Sequence, residues 1–193
     1  MGRFASAVSA FDRQNAEDPN KIRVGSVERP RELVQAERLA AWVDRLRPDA
    51  PEPLRLAARC QHLRRWEIPR TSYAEGRIGY LEWRKALARF HADHASAILR
   101  DVGYDESSIE RVRTINHKRG IKVDADVQTM EDALCLSFLE HELDDFIEKH
   151  PHEKVVDILQ KTWRKMSDQG HSHALTLTFS ERARQLVETA LGD

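Results

Sequence analysis

Four side chains that can bind a metal ion or move a proton, His62, His91, His117 and Asp132, lie on four successive stretches whose apolar residues recur with the period of a helix. His91 shares its stripe with Leu87, Ala95 and Ile98. His62 has Ala58 one turn before it and Trp66 one turn after. Asp132 is in phase with Gln128, Cys135, Leu136 and Leu139, so its carboxylate is expected on the apolar side. Such a carboxylate requires a partner, and a metal ion or a buried arginine would each serve. Taken singly, each histidine reads as a hydrogen-bonded core or helix-end residue. Together, inward polar groups from consecutive helices are how helical bundles assemble metal sites. Imidazole and carboxylate suit Zn, Fe or Mn, and one such divalent ion would turn a bound water into a nucleophile.

Cationic and aromatic side chains surround these positions. Arg64, Arg65, Arg70, Arg77, Arg84 and Lys118 fall within or beside the same segments, and Lys161, Trp163, Arg164 and Lys165 follow later. Guanidinium forks match phosphate oxygens and aromatic faces stack on bases, so Arg65, Arg70, Arg77, Arg84, Lys118, Lys161 and Lys165 are the expected contacts to a phosphate-containing, nucleotide-like ligand. Arg70 and Arg77 stand out because their loop also holds Pro69, Tyr73, Gly76 and Gly79. The competing reading makes each cation part of a solvated face paired with Glu or Asp. His94 is a close alternative to His91, and His171 and His173 are read as either site or surface residues.

The elements that must position these groups are helices. The spacing predicts helices over about Arg31–Leu46, Pro53–Trp66, Leu81–Val102, Ser107–His117, Val127–Lys149, Glu153–Met166 and Ser180–Leu191. Ser107-Ser108-Ile109-Glu110 has the form of a capping box, Ser180 that of an N-cap, and Gly103 that of a left-handed helix stop. Only Ala174–Phe179 alternates like an extended segment. Residues 1–30 are expected as a turn-rich arm, 31–148 as the helical core and 149–193 as C-terminal helices of one all-α domain. Cys60 and Cys135 fall on inward faces and read as small core residues.

Composition narrows the function classes. Lys and Arg number 31 against 32 Asp and Glu, for a net charge of −1, so no bulk cationic field points to a dedicated DNA binder. No apolar run reaches the length of a membrane span. The opening residues lack a secretory core, and two distant cysteines make no disulfide framework, so a reducing cytoplasm is the expected setting.

Two family resemblances sit on quoted strings. Leu56-Ala57-Ala58-Arg59-Cys60-Gln61-His62, His91 followed by Ala95-Ser96 and Ile98-Leu99, Val112 through His117, and Glu131-Asp132-Ala133-Leu134 resemble the successive motifs of HD-domain metal-dependent phosphohydrolases. The resemblance implies an HD-like bundle, with His62, His91, His117 and Asp132 as ligands of one divalent metal. It also implies Glu37 as a fifth ligand or general base, standing near the place of that family's first histidine. The usual His-Asp doublet is replaced by Gln61-His62. A likeness over nearly the whole chain is carried by Leu56 through Arg70, Gly79-Tyr80-Leu81-Glu82-Trp83-Arg84 and Lys161-Thr162-Trp163-Arg164-Lys165-Met166-Ser167, which resemble the family catalogued as domain of unknown function 4202.

The expectation is thus a metal-dependent phosphohydrolase of a nucleotide or related phosphate ester, with Glu37, His62 and Asp132 catalytic. The alternative is a non-catalytic HD-like module that binds a phosphorylated ligand or RNA.

Overall fold

A computed structural model describes residues 2–192. Ten α-helices dominate it, in the order α1 Arg3–Asn15, α2 Arg31–Leu46, α3 Glu52–Cys60, α4 Gly76–Asp101, α5 Glu106–Asn116, α6 Ala125–His141, α7 Leu143–Lys149, α8 His152–Lys165, α9 Asp168–Ala174 and α10 Glu181–Leu191. The all-α expectation holds, apart from one small antiparallel hairpin of β1 (Lys21–Val24) and β2 (Val27–Pro30).

The N-terminal arm is more ordered than its turn-rich composition suggests. α1 buries Ala7 and Phe11 against α2, α3 and α4, and Asp12 fixes it by accepting two hydrogen bonds from Arg59 of α3 (3.1 and 2.5 Å). Asp18 then accepts from the backbone N–H of Glu32 at 3.0 Å, tying the arm to the first turn of α2.

At the centre lies α6, which packs against α2, α3, α5, α7, α8 and α9. Met130, Ala133 and Leu136 of this helix are wholly buried with Leu54, Leu56, Leu99 and Ile115 from its neighbours. Removing these side chains from water is the main driving term for the bundle.

Five expected elements differ. The helix expected over Pro53–Trp66 ends at Cys60, which leaves His62 in a turn and Arg65–Glu67 in a short 3-10 turn, and the helix expected from Leu81 begins five residues earlier, at Gly76. The single helix over 127–149 is broken between α6 and α7 at Glu142, whose backbone (φ −126°) leaves the helical region while its carboxylate turns to within 3.8 Å of Arg31. Ala174–Phe179 forms no strand: Ala174 ends α9, which carries His171 and His173, and the following residues make a turn. The helix over 107–117 is capped by Asp105, which accepts from the N–H of Ser108 at 2.7 Å, in place of the Ser107 box. The Ser180 cap and the left-handed Gly103 (φ 85°) stand as expected.

Candidate functional site

The expected ligand set does not gather. Asp132 is 2% exposed, as its phase requires, but its oxygens are engaged elsewhere. Oδ1 accepts from the Ser167 N–H (2.8 Å) and from Gln128 Nε2 (2.9 Å), and Oδ2 accepts from the Ser167 hydroxyl (2.5 Å). Asp132 therefore locks the start of α9 onto α6. Its neighbour Gly170 leaves no room for a side chain, because a Cβ there would stand 2.8 Å from Oδ1.

His117 ends α5 among Arg119, Arg113, Glu110 and Asp93; burial, then these arginines, lower its pKa. Glu37 is bound bidentately by Arg29, both contacts 2.8 Å, on a different face. Only His62 and His91 come together, edge to face with ring centroids 6.1 Å apart. His91 donates from Nδ1 to the Leu63 carbonyl at 2.7 Å, which leaves Nε2 as a buried lone pair without a partner. Burial pushes its pKa down to about 4, so the ring is neutral. His62 is held well below its ordinary value by burial first and then by Arg65. Among the described residues no three His, Cys, Asp or Glu side chains form a group able to hold a metal ion. The residues present do not fit the expected four-ligand centre.

What the fold does build is a pocket of about 320 Å³ where α2, α4, α6 and α8 meet the turns that follow α3 and α5. Five cations line it, Arg31, Arg65, Arg84, Lys118 and Lys165, against three carboxylates, Glu32, Glu131 and Glu142. Gln35, Gln61 and His62 add polar edges, and Tyr80, Leu134 and Phe138 add apolar surface.

Local backbone geometry aims these groups. Arg64 follows the end of α3 in the left-handed region (φ 56°) and turns the chain so that Arg65 enters the pocket. The Arg65 guanidinium lies 5.0 Å from the centre of the Trp83 ring, and the Trp83 indole donates to the Ile68 carbonyl at 2.9 Å. The loop before α4 is pressed close at Gly79, where a Cβ would stand 2.0 Å from the Ala74 carbonyl oxygen, so only glycine fits. Tyr80, the next residue, and Arg84, one turn beyond Tyr80, line the pocket.

The charges are not balanced. Burial lowers the pKa of Arg65; Glu32 opposes that shift, while Arg84 and Arg31 add to it. Burial pushes Glu32 up to about 7 despite Arg65 and Arg31. Deeper in, Glu131 is 2% exposed and pairs with Lys118 at 2.6 Å and Lys165 at 3.7 Å. The Lys118 ammonium meets Oε2 off the hydrogen-bond direction, so the contact is an ion pair.

Of the cations expected from sequence to bind ligand, Arg65, Arg84, Lys118 and Lys165 line this pocket. The other three do not. Arg70 spends its guanidinium on the carbonyls of Tyr73 and Ala74 (2.9 and 2.8 Å), which shapes the loop it was expected to serve from. Arg77 is exposed, and Lys161 pairs with Asp157 one turn away on the outer face of α8. Arg31, Glu32, Gln35 and Glu131 were missed. The signal for Glu131 lay in the spacing of Glu131, Leu134, Cys135, Phe138 and Glu142, a second stripe on the helix that carries Asp132.

No helix among the described residues is long and apolar enough to cross a membrane. No curated protein and no solved structure matches the chain. The family model described as Domain of unknown function (DUF4202) matches residues 5–187, nearly the whole length, and the chain belongs to that family.

Proposed function

We propose that the pocket between α2, α4, α6, α8 and the turn after α3 binds a phosphorylated small molecule, a nucleotide or related phosphate ester, in a cytoplasmic setting. One observation carries the reading: five cationic side chains, Arg31, Arg65, Arg84, Lys118 and Lys165, line the pocket against three carboxylates, an excess of positive charge that an anionic ligand relieves. The volume, about 320 Å³, is that of a small-ligand cleft, which favours one mononucleotide-sized unit over an RNA strand. Arginine forks supply bidentate contacts to phosphate, and Tyr80 and Phe138 supply apolar surface for a base or sugar. The HD-like reading belongs to the same proposal, because segments that carry that resemblance, Gln61-His62 and Glu131, meet at this pocket.

Hydrolysis is the second reading, and Glu32 favours it. A carboxyl group pushed up to about 7 beside cationic side chains is suited to taking a proton from an attacking water. Calorimetric titration with inorganic phosphate and with adenosine and cytidine monophosphates tests the binding reading. Binding that weakens with added salt and is lost in Arg65→Ala is the expected result, and no binding of any of these would overturn it. Phosphate release from the same nucleotides by the wild-type protein, absent in Glu32→Gln, is the mark of the hydrolytic reading.

A further inference from the structure

Glu131 is the most deeply buried carboxylate of the pocket, and its partners are ammonium groups delivered by two different elements. Lys118 reaches it from the turn after α5, and Lys165 from the end of α8. The backbone of Lys118 is bent for the purpose. It sits at φ 57°, in the helix-stop position that glycine usually takes. The stop is closed by the Lys118 N–H donating to the Ile115 carbonyl at 2.9 Å and the Arg119 N–H donating to the Thr114 carbonyl at 3.1 Å. A glycine would end α5 equally well with less strain, but it would place no cation in the pocket.

The ammonium also decides what else Glu131 can hold. At 2.6 Å from Oε2, Nζ stands where a dication would have to approach, and like charge excludes one. Asp132, the neighbouring carboxylate, is already committed to Ser167, and among the described residues no three His, Cys, Asp or Glu side chains form a group able to hold a metal ion. An ammonium has three N–H donors, and a single carboxylate contact leaves donors free for an incoming oxyanion.

Resting on the phosphate-binding reading above, we propose that Lys118 is the resident cation of the pocket. Its ammonium contacts a phosphate oxygen of the ligand in the part a divalent metal would otherwise play, so binding is independent of metal. Glu131 is a positioning residue: it holds the Lys118 ammonium and does not itself meet the ligand.

The test is calorimetric titration of the full chain with inorganic phosphate and with adenosine monophosphate, after dialysis against EDTA and again with added Mn²⁺. Wild-type affinity is expected to agree between the two conditions. Lys118→Met is expected to lose about tenfold or more, the loss of one charge-assisted contact. Lys118→Met alone leaves Glu131 short of a partner, so Lys118→Met/Glu131→Gln, which removes both charges, is measured beside it with a thermal melt to establish folding. Glu131→Gln is expected to weaken binding when Lys118 is present and to add nothing in the Lys118→Met background, a coupling that a merely structural role would not produce. Wild-type binding that requires Mn²⁺, or a folded double variant that binds phosphate as tightly as wild type, overturns the role of Lys118 while leaving the phosphate-binding reading standing. Failure of wild type to bind either probe in both conditions overturns that reading, and the role of Lys118 with it.

Discussion

The carboxylate of Asp132 accepts from both the backbone N–H and the hydroxyl of Ser167, at 2.8 and 2.5 Å, so one buried side chain on α6 organises the first turn of α9. The Ser167 hydroxyl in turn accepts from the Gly170 N–H at 3.1 Å, completing a chain of hydrogen bonds from the core to the helix start. Asp132→Ala strands these donors in a site with little access to water. It is expected to cost about 2–4 kcal/mol, read by urea denaturation. Because Asp132 stands apart from the cationic pocket, phosphate affinity of the folded fraction is expected to stay within about twofold of wild type, well under the tenfold that 1.4 kcal/mol represents. A loss of binding as large as the loss of stability would place Asp132 at the ligand.

Arg65 and Arg84 offer the reverse pattern. Arg84 is exposed, and Arg65 rests on Trp83, so replacing either by Ala removes positive charge from the pocket without opening the core. Each is expected to weaken phosphate binding by about 1.5–3 kcal/mol, the range for a hydrogen bond to a charged group, with a stability change under about 1 kcal/mol. Arg77→Ala and Lys161→Ala, on the outer surface, serve as controls and are expected to leave binding unchanged. Titration calorimetry at two salt concentrations separates the groups, since only the pocket variants should flatten the salt dependence.

The helices were legible because apolar period and end signals agree, as at the Ser180 cap and the Gly103 stop. The hairpin also had its signal: Gly25-Ser26 between Val24 and Val27 is a two-residue turn, overshadowed by the surrounding polar residues. The pocket was only half legible. On α6 both Glu131 and Asp132 are buried, because the helix is covered on most sides; periodicity identifies an inward face only where an outward face exists. Adjacent positions on a helix point about 100° apart, so the choice of Asp132 over Glu131 selected the wrong wall. The turns that aim Arg65 and Lys118 rest on left-handed Arg64 and Lys118, and nothing in the residue type announces that conformation as a glycine would.

Glu32 links the pocket to pH. Burial raises its folded pKa to about 7 against a reference of 4.5, with Arg65 and Arg31 opposing the shift. Between those values the unfolded chain has lost the proton that the folded protein keeps. Stability therefore falls as pH rises from 4.5 to about 7, and levels off above. Glu32→Gln removes the ionisable group and is expected to be more stable than wild type at pH 8 by about 2–3 kcal/mol, with little difference near pH 4. Urea midpoints across that range check it. Parallel curves for the two proteins would show that Glu32 ionises without penalty.

A second group of charges behaves in the opposite sense. Arg111 grips Asp124 bidentately, at 2.5 and 2.8 Å, and also pairs with Asp126, which Arg47 reaches from the end of α2. Asp126 is 8% exposed, while Arg47, Arg111 and Asp124 keep between a quarter and a third of their side-chain surface, so the cluster fastens α2, α5 and the start of α6 at the margin of the core. Asp124 further caps α6 by accepting from the N–H groups of Asp126 and Val127. The Arg111 hydrogen bond leads the causes that hold Asp124 down to about 2. Its contribution is fully present above the ordinary carboxylate range and is lost as pH falls from about 4 toward 2. Arg111→Met leaves two carboxylates facing each other with Arg47 alone to compensate. It is expected to cost about 1–3 kcal/mol at neutral pH, because solvent screens the partly exposed partners. The deficit should shrink as acid neutralises the stranded carboxylates, so wild-type and variant stabilities converge toward pH 2–3. Acid titration of the urea midpoint for both proteins measures this, and a deficit that stays constant down to pH 2 would mean that Arg111 contributes by packing alone.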